Sequence, residues 1–98
     1  MSDQTAIVTG AGIGLGRATA AALADAGYHV IVTDILDQEG AQVVAEISEK
    51  SQSAEYCRLD VTDTGAVNQL LADINSRFTG IDALVLNAGI ARTLPLSS

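Results

Sequence analysis

Short apolar runs alternate with amphipathic segments along the whole chain. Runs of four to six residues rich in apolar and β-branched side chains are typical of strands buried in a parallel sheet. They predict strands at 4–9, 28–33, 55–59 and 83–86, of which the third is more polar and therefore nearer the edge of the sheet. Alanine-rich or apolar residues at helical spacing predict helices between these strands. The helices are expected at 14–26, ending at Gly27; at 38–50; and from a cap at Thr62 or Asp63 to Gly80.

The alternation of strand and helix predicts an α/β fold built on a parallel sheet. Crossover connections between parallel strands are right-handed, so if the first three strands run outward in order, their two helices share one face and the third helix must return along the opposite face. The expected strand order is therefore 3-2-1-4, with helices on both faces of the sheet. Ligands of such sheets bind at the carboxyl ends of the strands, where the order reverses between strands one and four.

The composition favours a single folded domain without a membrane segment. The chain has 98 residues, of which 48% are hydrophobic and 17% charged, unlike a disordered tail. No apolar run is long enough to span a bilayer, and the first four residues do not resemble a secretory signal. The formal net charge of −7 disfavours binding to nucleic acid or to an anionic membrane surface.

The chain has one cysteine, Cys57, and one histidine, His29. A disulfide scaffold and a cysteine-rich zinc site are therefore excluded, and a histidine-based metal site or a Ser-His-Asp triad has too few residues to form. The single cysteine leads us to expect a protein of the reducing cytoplasm. We also expect a homo-oligomer, and we expect the isolated chain to be marginally stable, to aggregate or to self-associate through the open edge of its apolar fourth strand.

The strongest local signal is the glycine-rich loop between the first strand and the first helix. It reads T-G-A-G-I-G-L-G, from Thr9 to Gly16. Glycine permits positive φ and lets a ligand approach the backbone closely, and the helix start behind the loop offers unpaired N–H groups. This arrangement predicts a phosphate-binding site. The alternative is a tight turn that binds no ligand.

Acidic and small residues follow the other three strands at the same edge of the sheet. Asp34, at the end of strand two, can accept hydrogen bonds from both hydroxyls of an adenosine ribose and would repel a 2′-phosphate. The pair Asp60-Val61 could meet an adenine edge, and Asn87-Ala88-Gly89 leaves space for a ligand beside strand one. Each motif has a plainer alternative, because either aspartate could cap a helix and 87–89 could be an ordinary turn.

Two other classes of nucleotide-dependent protein also have glycine-rich loops. A P-loop triphosphatase needs Gly-Lys-Ser/Thr at the end of its loop, whereas here Gly16 is followed by Arg17-Ala18 and the only lysine is Lys50. That class is excluded. A fragment of an S-adenosylmethionine-dependent methyltransferase also has an acidic residue after strand two, although Thr9, Gly14 and Gly16 match it less well.

Together, these motifs resemble the N-terminal, NAD-binding half of the short-chain dehydrogenase/reductase family. The loop matches the family's T-G-x-x-x-G-x-G pattern, Asp34 stands where NAD-preferring members have an acidic residue, and Asp60-Val61 matches the Asp-Val that contacts adenine. The segment 86–89 resembles the family's Asn-Asn-Ala-Gly, with Leu86 in place of the first asparagine. The resemblance implies a Rossmann-type domain whose NAD-binding residues would be Gly10, Gly12, Ile13, Gly14, Leu15, Gly16, Asp34, Ile35, Asp60, Val61, Asn87, Ala88 and Gly89.

The resemblance also implies hydride transfer between NAD(H) and a small secondary alcohol or ketone. Family members use a serine and a Tyr-x-x-x-Lys pair, all of which follow the fourth strand. Tyr28 is followed four residues later by Val32, and Tyr56 by Asp60, so we assign no catalytic residue. We expect residues 1–98 to be the N-terminal part of a single dinucleotide-binding domain, truncated after strand four and inactive alone. The other alternative is a non-catalytic dinucleotide-binding module.

Overall fold

The computed structural model of the protein describes residues 4–12, 14–78 and 81–85. Within these ranges strands and helices alternate, as the hydrophobic pattern predicts. The elements are β1 (Thr5–Thr9), α1 (Gly14–Asp25), β2 (His29–Asp34), α2 (Asp37–Glu49), β3 (Ala54–Arg58), α3 (Thr64–Arg77) and β4 (Ala83–Val85).

The four strands form one parallel sheet in the order β3-β2-β1-β4, which confirms the predicted topology. β1 is central, and all five of its residues are buried. In the register of the sheet Thr9 lies beside Thr33, and Asp34 lies beside Arg58. The loop that follows β1 and the last residue of β2 therefore lie at the same level, at the carboxyl edge of the sheet.

Alternate residues of the strands pack into two apolar cores, one on each face of the sheet. The first core joins the sheet to α1 and α2 through Val8, Val30, Val32, Ala20, Ala24, Val43 and Ile47. The second joins it to α3 through Ile7, Ile31, Leu59, Leu70 and Ile74. This arrangement confirms that the first two helices share a face and that the third covers the other. Leu84 of β4 is 47% exposed, so only part of this strand is covered.

Local hydrogen bonds determine where α1 ends and where α3 begins. Gly27, with a φ of 100°, donates its N–H to Ala24 O at 3.0 Å, and the N–H of Tyr28 reaches Leu23 O at 3.1 Å. These two bonds form a Schellman motif, so Gly27 closes α1 as predicted. At α3, the choice between two caps is settled by Asp63, whose carboxylate accepts the N–H of Ala66 at 3.0 Å.

Several predicted boundaries are wrong by one or two residues. β2 includes Asp34, whose backbone pairs with β3, and β3 ends at Arg58, one residue before the predicted end. α3 has its last helical residue at Arg77. The predicted end at Gly80, and the last residue of predicted strand four, Leu86, lie outside the described residues.

Candidate functional site

The glycine-rich loop leaves the carboxyl end of β1 and turns back into α1. Gly10 and Gly14 have φ values of 63° and 58°, a left-handed conformation that favours glycine. The N–H of Ala11 donates to Thr33 O at 3.0 Å, which fastens the loop to the end of β2. The predicted glycines at these two positions therefore serve the sharp turn that brings the start of α1 to the edge of the sheet.

Asp34 is the centre of the hydrogen bonding at this edge. It is 7% exposed, and its carboxylate accepts three backbone N–H groups. Oδ2 accepts the N–H of Gly12 at 2.8 Å, while Oδ1 accepts those of Ile35 at 2.7 Å and Leu36 at 3.1 Å. Since a carboxylate has about four acceptor positions, these bonds leave about one, on Oδ2.

Gly12 leaves the space that Asp34 needs. A Cβ at this position would lie 2.8 Å from Asp34 Oδ2 and 2.9 Å from the Cβ of Glu39 on α2. Both distances are too short for a real side chain at that point, so a residue larger than glycine would displace the loop or the carboxylate. The sequence places Gly12 and Asp34 in one site, and the structure joins them by a direct bond.

The remaining predicted residues of the loop differ in their surroundings. Gly16 is buried in the first turns of α1, where the helix packs on the sheet. Leu15 is 72% exposed and Ile35 is 51% exposed, so two apolar side chains at this edge are open to a ligand. Four predicted site residues, Ile13, Asn87, Ala88 and Gly89, lie outside the described residues.

The Asp60-Val61 pair follows β3 and forms the turn that leads into α3. Asp60 Oδ1 accepts the backbone N–H of Thr62 at 2.9 Å and its hydroxyl at 2.6 Å, and these bonds lower the pKa of Asp60. Val61 packs against the second core. Asp63, rather than Asp60, caps α3, so the exposed Asp60 closes the preceding turn.

Sequence reasoning missed a second cluster beside Asp34, formed by Tyr56, Arg58 and Asp37, which we call the turn clamp. The Tyr56 hydroxyl lies 2.6 Å from Asp37 Oδ1, and Arg58 Nη1 donates to Asp37 Oδ2 at 2.9 Å. One signal could have indicated it. Gly40 lies inside α2, where glycine costs helix stability and therefore suggests a packing reason. Here an added Cβ would collide with the ring of Tyr56.

Arg17, in the first turn of α1, is paired with α2. Its Nε donates to Glu46 Oε1 at 3.2 Å, and its Nη2 donates to Glu46 Oε2. The pair borders a groove of about 520 Å³ between the two helices, with Ala18, Ala21 and Val43 among its lining residues. Among the described residues of the glycine-rich loop, Gly14 alone lines this groove.

The described ranges give little support for a metal site, a reactive cysteine or a membrane-spanning helix. Among residues 4–12, 14–78 and 81–85, no group of three His, Cys, Asp or Glu side chains could hold a metal ion. Burial, together with nearby Glu55 and Asp73, raises the pKa of the Cys57 thiol and so disfavours a reactive thiolate. No helix in this part of the chain is both long and apolar enough to cross a membrane.

The turn clamp has a pH dependence that can be measured. The hydrogen bond from Tyr56, and then the hydrogen bond and charge of Arg58, hold the pKa of Asp37 below its ordinary value of 3.8. A lowered pKa stabilises the folded state above the unfolded value and loses that contribution as the pH falls through the folded value. We expect Asp37→Asn to lower the unfolding free energy above about pH 4, with the difference from the unmodified protein shrinking below that pH. Urea titrations across this range would measure it, and a difference independent of pH would contradict the assignment.

Comparison with known proteins identifies relatives along almost the whole chain. The chain matches the short chain dehydrogenase family over residues 4–98. Cis-4-hydroxycyclohexanecarboxylate dehydrogenase of Sinomonas cyclohexanicum is 41% identical over 91 residues, which are 92% of this chain and 36% of that protein. 2,5-dichloro-2,5-cyclohexadiene-1,4-diol dehydrogenase of Sphingobium indicum is 41% identical over 98 residues, 99% of this chain and 38% of that protein.

The fold has close structural relatives as well. The crystal structure of a metagenomic short-chain oxidoreductase in complex with NADP matches with a TM-score of 0.86 at 31% identity, covering 91% of this chain and 40% of that one. The chain spans a little over a third of the length of the two curated dehydrogenases named above. The family match over residues 4–98 agrees with the glycine-rich loop, the strand order and the acidic end of β2. The chain belongs to the short-chain dehydrogenase family.

Proposed function

We propose that residues 1–98 form the N-terminal part of a single dinucleotide-binding domain and bind the adenosine and pyrophosphate portion of NAD(H). The observation that carries the proposal is the bond of 2.8 Å between Gly12 N and Asp34 Oδ2. It places a carboxylate with a spare acceptor position directly beside the glycine-rich loop. The family uses nicotinamide dinucleotide cofactors, and both features lie where parallel sheets bind such ligands.

The pyrophosphate would lie at the start of α1. The first four N–H groups of a helix lack partners within the helix, and here the helix begins at Gly14, within the glycine-rich segment. The partial positive charge of this end favours an anion. Because Arg17 is already paired with Glu46, backbone groups rather than this guanidinium would supply the contacts. The proposed pyrophosphate-binding segment also includes Gly10, Gly12, Ile13, Leu15 and Gly16.

The adenosine would lie across the ends of β2 and β3. Three backbone N–H groups already bond the Asp34 carboxylate, so it would accept the ribose 2′-hydroxyl at the remaining position on Oδ2, rather than both hydroxyls as the sequence suggests. The exposed side chain of Ile35 would contact the adenine. Asp60 and Val61 would meet the adenine edge. Asn87, Ala88 and Gly89 would border the cofactor beside β1.

The preference for NAD(H) over NADP(H) follows from the negative charge of the Asp34 carboxylate. A 2′-phosphate would stand against the Asp34 carboxylate, and like charges at short range repel. The arrangement therefore supports NAD(H) over NADP(H), although the metagenomic relative was crystallised in complex with NADP. The N–H groups of Ile35 and Leu36 add support for NAD(H), because they would hold the Asp34 carboxylate in place beside the ribose.

The proposed reaction is hydride transfer between C4 of the nicotinamide and a secondary alcohol or ketone. The two curated relatives have names that describe dehydrogenases of ring alcohols, which supports a small cyclic alcohol as substrate. We assign no catalytic residue within residues 1–98, and propose that this part alone is inactive. We further propose a cytoplasmic homo-oligomer, on the lone cysteine and the half-exposed β4 residue Leu84. The family match disfavours the methyltransferase alternative.

A non-catalytic binding module is the remaining alternative, and an assay of a longer protein that carries residues 1–98 together with a Tyr-x-x-x-Lys pair separates the two. With NAD⁺ and cyclohexanol, we expect that protein to form NADH as the carbinol hydride moves to the nicotinamide and the hydroxyl proton is released. The controls are residues 1–98 alone and cyclohexanol without protein, neither of which should form NADH. Tight NADH binding by the longer protein with no turnover of any ring alcohol would favour the non-catalytic module.

Replacing the acid at the end of β2 should alter cofactor choice. We expect the protein to bind NADH at least about tenfold more tightly than NADPH, roughly 1.4 kcal/mol. Asp34→Ala removes both the hydroxyl acceptor and the like charge, so the ratio should shrink towards one. Fluorescence titration with both cofactors measures the ratio, and equal affinities in the unmodified protein would refute the assignment.

Filling the space at Gly12 should weaken cofactor binding. In Gly12→Ala the new methyl group would collide with Asp34 Oδ2, so we expect NADH affinity to fall by about tenfold or more, since bonds to charged groups contribute about 1.5–3 kcal/mol. Gly65→Ala in α3 is the matched control, because its Cβ would lie 3.4 Å from the nearest atom, Asp63 Oδ1. The control should keep its NADH affinity. Equal NADH affinity in the two variants would contradict the proposed contact.

A further inference from the structure

The Tyr56 ring occupies a place that the sequence of α2 leaves open. Tyr56 lies on β3 and packs against the first core, with its ring against the backbone of Gly40. Because Gly40 has no side chain, the ring can reach across α2 to the turn between β2 and α2. The hydroxyl then lies 2.9 Å from Asp34 O and 2.6 Å from Asp37 Oδ1.

The hydroxyl acts as a donor in this position. Both oxygens that face it can only accept, so its single hydrogen is shared between them. Burial, and then the Asp37 carboxylate, raise the pKa of Tyr56, which keeps the hydroxyl protonated at neutral pH. Arg58 supplies the second donor, because its Nη1 bonds Ile35 O at 3.0 Å and Asp37 Oδ2 at 2.9 Å.

The turn clamp holds the same two peptide units that hold the Asp34 carboxylate. The first unit has Asp34 O on one side, which accepts the N–H of Leu59 at 3.0 Å and the Tyr56 hydroxyl at 2.9 Å. On its other side the Ile35 N–H donates to Asp34 Oδ1. The second has Ile35 O, bonded by Arg58, and the Leu36 N–H, also bonded to Asp34 Oδ1. A peptide unit is planar, so fixing its carbonyl also fixes the direction of its N–H.

We propose that Tyr56 and Arg58 are positioning residues for the ribose site: they orient two peptide planes whose N–H groups aim the Asp34 carboxylate at the adenosine ribose. The inference rests on the proposed function, since it assumes that Asp34 accepts a ribose hydroxyl. Neither side chain contacts the cofactor in this account. Displacement of a polar group by about 1 Å is enough to weaken a fixed site markedly.

Two variants with matched controls test the proposal in the protein. Tyr56→Phe keeps the ring on Gly40 and removes only the donor, while Arg58→Gln removes the guanidinium. The controls are Tyr28→Phe and Arg77→Gln, because Tyr28 immediately precedes β2 and Arg77 ends α3, both at the opposite edge of the sheet. Circular dichroism and thermal melting confirm that each variant is folded before binding is measured.

The probes are NADH and the analogue of NADH whose adenosine ribose lacks the 2′-hydroxyl. We expect Tyr56→Phe and Arg58→Gln to weaken NADH binding about five- to tenfold, the effect of losing one hydrogen bond, and to weaken binding of the analogue less than twofold. Both controls should bind both ligands as the unmodified protein does. A selective loss of this kind would not arise from general loosening of the structure.

Two results would overturn this inference while leaving the proposed function intact. In the first, the unmodified protein binds NADH but the two clamp variants bind it as tightly as their controls. In the second, the variants lose affinity for NADH and for the analogue equally, which makes Tyr56 and Arg58 merely structural. If the unmodified protein binds neither ligand, the proposed function fails and the inference falls with it.

Discussion

The hydrogen bond between the Gly12 N–H and the Asp34 carboxylate joins the two halves of the site. It links the loop after β1 to the end of β2 across 22 residues of sequence, at 2.8 Å. A carboxylate that is only 7% exposed is costly to bury unless hydrogen bonds replace its water. Backbone N–H groups from the loop and from the β2–α2 turn replace that water here. The acid is therefore held in place before any ligand arrives, and ligand binding need not order it.

The pairing of the strands brings the two partners of this hydrogen bond together. β1 and β2 pair in register from Thr5 with His29 to Thr9 with Thr33, which brings the loop level with Asp34. The Thr33 hydroxyl donates to Val8 O at 3.0 Å and adds a second link between the same strands. A slip of one residue in this pairing would turn every buried strand residue to the other face. The apolar cores on both faces thus fix the register that the polar site needs.

The sequence was sufficient for the architecture because the signals that specify it are local. Runs of apolar residues, Gly27 at a helix end and Asp63 at a helix start each act over a few residues, and right-handed crossovers give the strand order once the first three strands run outward. The bond from Gly12 to Asp34 and the contact of Tyr56 with Gly40 join residues that are far apart in sequence and have no shared pattern. For that reason the loop and the acid were both predicted as site residues, while their direct contact and the turn clamp were not. The cofactor-binding roles of all the predicted site residues stay predictions, and Ile13 and residues 87–89 also lie outside the described residues.

The most direct test is a pair of crystal structures of the protein, with and without NADH. We expect Asp34 Oδ2 to stay near its present 2.8 Å from Gly12 N in both. In the complex, one ribose hydroxyl should lie about 2.6–2.8 Å from the same oxygen, a normal O–H···O distance. A carboxylate that leaves Gly12 on binding, and turns to take both ribose hydroxyls, would contradict the account of a site fixed in advance by its own backbone.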